Sequence, residues 1–205
     1  LRLVADRFSQ HDKAYELKVI PDGVLIEART QSGLLLGVQT LRQLFPPEFE
    51  AQDGSAKLPV SLPGVVIEDS PRYGWRGRSF DCCRHFITKD YILRLLDLLA
   101  YHKYNVFHWH LTEDQGWRLQ IDRYPKLTEV GAFRGPDNYG GYYTKDDVRE
   151  VLAYAEKLGI LVVPEIELPG HSRAAIAAYP ELSCHGEPLP VETEWGIHKD
   201  IYCAG

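Results

Sequence analysis

The sequence predicts an α/β fold, and two observations support that prediction. Between residues 78 and 167, three apolar strand patterns alternate with two amphipathic helical patterns. This order is typical of parallel strands joined by right-handed crossovers. Polar side chains also gather where the strands end, as at Arg84, Glu113 and Glu167. Since loops at the carboxyl ends of parallel strands commonly carry function, we expect a site there.

The first half of this region contains a strand, a helix and a second strand. The first strand is predicted at Arg78–Cys83, and Thr88 opens the helix with Asp90 in its first turn. The apolar residues at helical spacing, which form its predicted buried stripe, are Tyr91, Leu95, Leu98 and Leu99. The second strand, Val106–Leu111, alternates along its length and so presents two different faces. These faces carry Phe107, Trp109 and Leu111 on one side and His108 and His110 on the other.

The second half adds one more helix and one more strand. Residues 144–147 have a capping-box pattern that opens the helix, and Gly159 ends it. Its predicted buried stripe is Val148, Val151, Leu152, Ala155 and Leu158. A strand at Ile160–Glu167 follows, which completes the first three βα units of a (β/α)8 barrel. An open doubly wound sheet is the alternative, but no glycine-rich phosphate loop follows any strand.

The chain is short for such a barrel. A complete barrel requires about 250 residues, whereas roughly 130 residues follow Pro71. We therefore expect the chain to end near the middle of its own domain and to leave an apolar strand edge free. No initiating Met precedes Leu1, so we also expect that an upstream piece has been removed.

The residues before the barrel predict part of a small α+β domain. Its predicted elements are a strand over 15–20, a turn over 21–23, a returning strand from Val24, a helix over 34–45, a loop over Glu50–Lys57 and a strand over Pro59–Ile67. The helical stripe is Leu34, Val38, Leu41 and Phe45. Pro46 and Pro47 stop the helix, and residues 69–71 break regular structure before the barrel pattern begins. The predicted domains are therefore residues 1–68 and 69–205.

Composition argues against two classes of partner and leaves the cysteines open. A formal net charge of −6 without any run of Lys or Arg argues against nucleic acid. No apolar run approaches the roughly 20 residues that span a bilayer. The four cysteines lack CxxC spacing, so we expect no structural zinc. Cys82 and Cys83 are predicted core residues, whereas Cys184 and Cys203 share a loop-rich stretch and could pair in an oxidising compartment.

His108 and His110 are the first candidates for chemistry. Their side chains leave one face of a strand about 6.6 Å apart along the backbone, close enough to share a metal ion. Alternatively, both imidazoles form hydrogen bonds with acidic neighbours. We favour hydrogen bonding, because a third ligand at a recognisable spacing is missing.

Glu165 and Glu167 share one face of the third strand. Because buried carboxylates are costly unless paired, both should meet cations or hydrogen-bond donors. They fit the acid and nucleophile of a glycosidase, or metal ligands, or partners of Arg84 and the histidines, and we favour the last. His171 lies where this strand passes into a helix, and a nearby carboxylate would tune its protonation.

Other groups at the strand ends suit a polar, ring-shaped ligand. Arg84 offers a planar fork of donors for two vicinal hydroxyls or a carboxylate. A cluster of hydrogen-bonding residues occupies positions 112–115. Trp117 beside it offers an apolar face for a sugar ring, although a place in the core is the alternative.

Three separated motifs, DCCRHF, HWHLTEDQGW and PEIELPGH, resemble those of the β-N-acetylhexosaminidases of glycoside hydrolase family 20 in order and spacing. The resemblance covers roughly Val66 to the C-terminus, and the preceding residues resemble the end of that family's small N-terminal domain. It implies a cofactor-free exo-glycosidase that removes terminal non-reducing N-acetylhexosamine from oligosaccharides or glycoconjugates with retention. It also implies a periplasmic, secreted or lysosome-like compartment.

The resemblance assigns roles to individual residues. In such enzymes the substrate's own 2-acetamido oxygen attacks the anomeric carbon. Arg84 matches the arginine that holds the C3 and C4 hydroxyls, while Glu113 and His171 match a carboxylate–histidine relay. Glu167 matches a carboxylate that helps to hold Arg84 or His171. The expected site is therefore Glu113 and His171 for the relay, and Arg84, Glu167, Asp114 and Trp117 for substrate binding.

One part of the family pattern is missing. The Asp-Glu pair that follows Gly-Gly on the next strand does not occur, so we expect it beyond Gly205. These 205 residues alone are accordingly expected to be inactive. The alternatives are a metal-dependent barrel hydrolase using His108 and His110, a non-catalytic sugar-binding fragment, or one chain of a processed enzyme whose second chain supplies the rest of the barrel.

Overall fold

A computed structural model describes residues 1–4, 14–51 and 58–205. The chain divides into two compact units: Leu1–Arg76 with Leu98–Asn105, and Gly77–Asp97 with Val106–Gly205. Part of the loop predicted over Glu50–Lys57, residues 52–57, lies outside the described ranges.

The first unit contains a four-stranded sheet and a helix. Its elements are β1 Arg2–Leu3, β2 Tyr15–Ile20, β3 Gly23–Ala28, α1 Gln31–Leu44 and β4 Val65–Asp69, with a 3₁₀ turn at Pro47–Phe49. The strand order is β1-β3-β2-β4, with β1 parallel to β3 and β2 antiparallel to both of its neighbours. The predicted hairpin is confirmed, because Ile20 pairs with Gly23 across a two-residue turn.

Helix α1 begins earlier than the sequence pattern predicts. Thr30 caps it by accepting the N–H of Gly33 at 3.2 Å, so the helix starts at Gln31. Its buried face includes Gly37, where a Cβ would lie 2.5 Å from Cγ2 of Ile26. Glycine therefore allows a close approach of helix and sheet. Partly buried residues that pack against this core include Leu34, Val38 and Leu41.

The strand predicted over Pro59–Ile67 is wrong in its first part. Regular pairing begins only at Val65, where β4 pairs with β2. Pro59 and Pro63 lack the amide hydrogen that a sheet ladder requires, which explains the late start.

A three-stranded parallel sheet forms the base of the second unit. The chain continues through β5 Gly77–Asp81, α2 Lys89–Tyr101, β6 Val106–His110, β7 Thr112–Glu113, β8 Gly116–Trp117, α3 Lys126–Glu129, β9 Phe133–Arg134, β10 Tyr139–Gly140, α4 Lys145–Lys157, β11 Leu161–Glu165 and α5 Arg173–Ala178, with a 3₁₀ turn at Pro180–Leu182. The sheet order is β11-β6-β5. Its register aligns Asp81, His110 and Glu165 at the carboxyl ends of the three strands. Polar groups therefore meet at one edge, as predicted.

The buried stripe of α2 differs from the predicted one. Its buried residues are Ile92, Leu96, Leu99 and Ala100, whereas Tyr91 and Leu98 are 45% and 59% exposed. Apolar residues occur as adjacent pairs at 91–92, 95–96 and 98–99, so two neighbouring faces of the helix carry apolar residues at the same spacing. Periodicity alone therefore does not select the face that packs.

Helix α4 is confirmed at both ends. Thr144 and Asp147 form the reciprocal capping box, and Gly159 adopts φ +70° just past the helix. Val151 and Ala155 are buried as predicted, but Leu152 is 45% exposed. No helix within the described ranges combines the length and apolar character needed to cross a membrane.

The side chain of Arg118 holds the long connection between β6 and α4 in place. Its side chain is fully buried, and burial lowers its pKa. The guanidinium donates to four main-chain oxygens: Cys82 at 3.0 Å, Cys83 at 2.6 Å, Ala132 at 2.6 Å and Gly141 at 2.9 Å. A Cβ on Gly116 would lie 2.3 Å from this guanidinium, so glycine leaves room for it. The cation thus cross-links three separate segments.

The cysteines form two groups. Cys82 and Cys83 are buried, as predicted, and burial raises the pKa of both thiols. These thiols are therefore poor nucleophiles. Cys184 and Cys203 form a disulfide, with their Cα atoms 4.7 Å apart.

Candidate active site

Arg84 lies just past the carboxyl end of β5, in a turn shaped by Asp81. One Asp81 oxygen accepts the N–H groups of Cys83 at 2.7 Å and Arg84 at 3.3 Å. The other oxygen pairs with Nη1 of Arg84 at 2.9 Å. Burial raises the pKa of Asp81, but these hydrogen bonds outweigh burial and hold it below its usual range. A local carboxylate therefore orients Arg84.

Glu113, in β7, is the central carboxylate of the site. Its side chain is fully buried, and its Oε1 forms an ion pair with Nη2 of Arg84 at 2.9 Å and accepts a hydrogen bond from Nδ1 of His171 at 2.7 Å. Its other oxygen, Oε2, is buried without a hydrogen-bond partner among the described residues. Nε2 of His110 lies 3.7 Å from Oε2. One carboxylate oxygen thus holds two donors that come from different parts of the chain.

His171 reaches Glu113 from the segment that follows β11. Its φ of +54° is in the left-handed region that few non-glycine residues adopt. Backbone of this kind persists where the surroundings hold it, and it occurs often at functional sites. The hydrogen bond to Glu113 raises the pKa of His171, against the opposing effect of burial. His171 therefore stays protonated to a higher pH than a free histidine.

The two histidines of β6 have different partners. Nε2 of His108 lies 2.7 Å from Oε2 of Glu165, as the hydrogen-bonded interpretation predicts. Nδ1 of His110 faces Nη1 of Arg84 at 3.5 Å, and its Nε2 faces the Thr112 oxygen at 2.9 Å. Since a guanidinium only donates and a carbonyl only accepts, this arrangement fits a neutral His110 with its proton on Nε2.

The structure separates His108 from the groups that could hold a metal ion. The groups of three found among the described residues are His110 with Glu113 and Glu167, and Glu113 with Asp114 and His171. Both depend on Glu113, whose Oε1 already binds the guanidinium of Arg84. A cation placed there would be repelled by that positive charge. The donor set therefore suits hydrogen-bonded cationic side chains better than a metal.

Glu167 lies on the histidine side of the site. Its N–H donates to Oγ1 of Thr112 at 2.8 Å, and its Oε1 is 3.7 Å from Nε2 of His110. Burial and the neighbouring Glu165 raise the pKa of Glu167. Within the described ranges Arg84 pairs with Asp81 and Glu113. The charge of Glu167 helps to raise the pKa of His171, the other expected partner of Glu167.

Asp114 and Trp117 are buried and have partners inside the protein. Oδ1 of Asp114 accepts the N–H of Arg173 at the start of α5, at 3.0 Å, and the residue is 3% exposed. Trp117 is 9% exposed, packs with Leu127 and donates its indole N–H to the Leu119 oxygen at 2.6 Å. Trp117 pairs with Thr112 across β7 and β8, and Asp114 lies in the turn between these two strands. Contact of either side chain with substrate stays a prediction.

Two further residues belong to the site. Asp81 accepts the N–H of Cys83, two residues on, as in an Asx turn, and an Asp near the end of a predicted strand is a turn signal that could have been recognised in the sequence. Trp195 had no such signal. Its ring centroid lies 5.8 Å from Cζ of Arg84, and the residue is 71% exposed. That contact depends on how a distant loop folds, so no local pattern marks it.

Family comparisons cover almost all of the chain. Residues 73–205 match the model described as glycosyl hydrolase family 20, catalytic domain, and residues 2–70 match family 20, domain 2. The chain belongs to glycosyl hydrolase family 20. All the site residues described above lie within the family 20 catalytic-domain match.

Curated relatives and solved structures agree with this family. The chain is 45% identical over 197 residues to the beta-hexosaminidase of Porphyromonas gingivalis, covering 95% of the chain and 25% of that protein. It is 41% identical over 184 residues to the N,N'-diacetylchitobiase of Vibrio harveyi, covering 80% and 20%. The N-acetyl-beta-hexosaminidase of Streptomyces plicatus, solved with Thio-NAglucal, is 43% identical with a TM-score of 0.90, covering 98% of this chain and 40% of that one. The chain thus spans two fifths or less of these proteins.

Proposed function

We propose that this chain is the front part of an exo-acting β-N-acetylhexosaminidase. Its structural neighbours imply a (β/α)8 barrel for the family 20 catalytic domain, and the α/β fold class agrees with that architecture. In this proposal residues 1–68 are part of a small N-terminal α+β domain. Residues 69–205 are then the first three βα units of the barrel, with the site at the carboxyl ends of their strands.

The observation that supports this function most directly is the shared oxygen of Glu113. It fixes Arg84 and His171 together, although they follow different strands. Arg84 remains partly exposed, so its planar fork can bind two neighbouring hydroxyls of a sugar. His171 uses Nδ1 for Glu113, which leaves Nε2 to donate to a group outside this chain.

The proposed reaction is substrate-assisted hydrolysis with retention. The 2-acetamido oxygen of the substrate attacks the anomeric carbon while the bond to the leaving oxygen breaks and a carboxylic acid protonates that oxygen. Water then opens the resulting oxazolinium ion and gives a proton back to the same carboxylate. The proton donor is the Glu of an Asp-Glu pair expected beyond Gly205. Arg84 binds the C3 and C4 hydroxyls. Glu113 keeps His171 protonated beside the acid. The positive charge of His171 stabilises the carboxylate that forms when the acid gives up its proton.

The substrate of this enzyme is an amino-sugar oligosaccharide or glycoconjugate, and the reaction needs no cofactor. The rest of the barrel comes either from a continuation of this chain or from a second chain. Mass spectrometry of the native protein separates these cases. One covalent species well above 23.4 kDa indicates a continuation, whereas a co-purifying second chain indicates a processed enzyme.

The function is tested by assaying the intact protein with an aryl β-glycoside of N-acetylglucosamine. We expect release of the sugar, unaffected by a metal chelator, and no release by residues 1–205 alone. Intact protein that binds the sugar without releasing it would favour the non-catalytic alternative, and loss of activity with chelator would favour the metal-dependent one. Release by the 205 residues at an enzyme-like rate would show that the proton donor is misplaced.

A further inference from the structure

The main chain just before His171 is held by contacts that the proposed reaction does not use. The Pro169 oxygen accepts the Oγ–H of Ser172 at 2.9 Å and the N–H of Tyr202 at 2.9 Å. Tyr202 belongs to the loop that the disulfide closes, residues 184–203, which we call the disulfide loop. This loop is therefore attached two residues before His171.

Three residues next to the Glu113–His171 relay are bonded to one another, and we call Asp114, Arg173 and Glu192 the clasp. The N–H of Arg173 donates to Oδ1 of Asp114 at 3.0 Å, and the N–H of Glu192 donates to the main-chain oxygen of Asp114 at 3.1 Å. Nη1 of Arg173 binds Oε2 of Glu192 at 2.7 Å, which closes the ring of contacts. Asp114 directly follows Glu113, and Arg173 lies two residues after His171. The clasp therefore joins the main chain of one relay partner to that of the other.

Arg173 is the cation of the clasp and has further partners. Its Nη1 also pairs with Oδ2 of Asp200 at 3.1 Å, and its Nε donates to the Pro190 oxygen at 3.0 Å. Both partners, like Glu192, belong to the disulfide loop. A single side chain at the start of α5 therefore holds this loop at three positions.

Glu192 is held in its charged form. The residue is 9% exposed, and its Oε1 accepts the N–H groups of Glu194 at 2.9 Å and Thr193 at 2.7 Å. These hydrogen bonds and the charge of Arg173 outweigh burial and lower the pKa of Glu192. The ion pair with Arg173 therefore persists over the pH range in which His171 loses its proton.

An ion pair of this kind contributes more to geometry than to stability. Desolvation of the two charges offsets much of their attraction, so a well-packed apolar pair would often stabilise a fold as well. A planar guanidinium and a carboxylate, however, meet in few orientations. His171 is a residue that needs such definition, because its φ of +54° persists only where neighbouring contacts hold it.

We propose that Arg173 and Glu192 are positioning residues, which act through the clasp to hold the imidazole of His171 against Glu113. The inference rests on the proposed function, because it needs the relay of that reaction. Neither positioning residue touches the sugar. Without them the His171 segment shifts, its hydrogen bond to Glu113 weakens, and Nε2 turns away from the acid. Arg84 keeps its own carboxylate partners, so binding of the sugar is spared.

The first test measures steady-state kinetics of the intact enzyme with an aryl β-glycoside of N-acetylglucosamine. Glu192→Gln and Arg173→Met are each expected to lower kcat about tenfold with KM within about twofold, because a misplaced group slows the reaction without weakening binding. The double variant should lose at most about twofold more, since both changes remove the same ion pair. Glu187→Gln and Arg123→Met are the matched controls, because they remove the same charges at exposed positions. Both controls should leave kcat and KM unchanged.

A second test separates positioning from charge and from folding. The pKa of His171 is measured by NMR of intact enzyme that carries isotope-labelled histidine, with His171→Gln to assign the resonance. Positioning predicts that both clasp variants lower this pKa toward the ordinary value of about 6.5, because the hydrogen bond to Glu113 that raises it is weakened. Charge alone would lower the pKa in Glu192→Gln and raise it in Arg173→Met.

Opposite shifts of the His171 pKa in the two clasp variants would therefore overturn the positioning role. Unchanged kcat and pKa in variants whose melting temperatures show them to be folded would overturn it as well. If either variant fails to fold, Asp200→Asn weakens the longer ion pair of Arg173 and should move kcat and pKa in the same directions by less. No change there would count against the clasp equally. Wild-type enzyme without activity would instead overturn the proposed function.

Discussion

The neighbourhoods of Arg118 and Arg84, both in the second unit, use the same side chain for opposite purposes. Arg118 is fully buried and donates to main-chain oxygens, whereas Arg84 is partly exposed and pairs with Asp81 and Glu113. Burial lowers the pKa of Arg118. For Arg84 burial has the same effect, but the charge of Glu113 helps to outweigh it and the pKa rises. One cation cross-links the fold, and the other is held ready for a ligand.

The two neighbourhoods are also connected. Arg118 binds the main-chain oxygens of Cys82 and Cys83, which directly precede Arg84. Arg118 therefore holds the turn from which Arg84 extends. An arginine that is fully buried and donates to carbonyl oxygens, like Arg118, holds main-chain segments together. An arginine that is partly exposed and pairs with carboxylates, like Arg84, keeps its charge and has donors free for a ligand.

The largest effect on stability is expected when Arg118 is removed. Arg118→Met removes a donor from four main-chain oxygens, and that of Ala132 still accepts the N–H of Gly141. Each of the other three, left buried and unsatisfied, costs about 1–3 kcal/mol. We expect a loss of about 4 kcal/mol or more in the free energy of unfolding, measured with urea. Arg123→Met, at an exposed arginine, is the control and should change it by less than about 0.5 kcal/mol. If the two variants were equally stable, Arg118 would not cross-link the fold as the comparison with Arg84 requires.

Removing Arg84, the proposed sugar-binding arginine, should lower activity more than stability. Arg84→Met in the intact enzyme is expected to lower kcat/KM about a hundredfold or more, because two charge-assisted hydrogen bonds to the sugar are lost. Arg84→Lys keeps the charge without the planar fork and should recover only part of that loss. Steady-state kinetics with an aryl glycoside measures both variants. Activity within threefold of wild type would show that Arg84 does not hold the sugar.

A smaller loss of stability should follow from crowding Arg118. Gly116→Ala places a Cβ 2.3 Å from its guanidinium, so the hydrogen bonds to the main chain must shift. We expect about 2 kcal/mol of destabilisation, within the usual range for overpacking. Gly74→Ala is the matched control, since its Cβ meets nothing within 4 Å. If the two alanine variants unfold at the same urea concentration, Arg118 has room to move and its role as a fixed cross-link is weaker.

The smallest effect is expected from the pH dependence of the His171–Glu113 pair. The pKa of His171 is raised in the folded protein, so its stabilising contribution is complete below the unfolded value of about 6.5 and is lost as pH rises through the folded pKa. The difference in unfolding free energy between wild type and His171→Gln should therefore shrink from pH 5 to pH 9. Urea unfolding at several pH values measures it. A difference that grows with pH would contradict the ion pair.

Much of the fold and part of the site could be predicted from the sequence. The capping box at Thr144 and the alternation of Val106–His110 involve residues only a few positions apart, so their geometry is local. The residues Arg84, Glu113 and His171 were identified from motifs, and the structure brings them together. The sequence left Trp117 open between the core and the sugar site, and its burial depends on how β7 and β8 pack against the rest of the unit.

The sequence by itself therefore determined the order of strands and helices, the helix caps and the side chains available at the strand ends. Only the tertiary structure decided that one oxygen of Glu113 contacts both Arg84 and His171, which lies 58 residues after Glu113, and that Trp195 lies beside Arg84. The physical reason is range. Caps and alternation follow from neighbouring dihedral angles, whereas contacts between distant residues depend on strand register and loop packing, which the whole unit fixes at once.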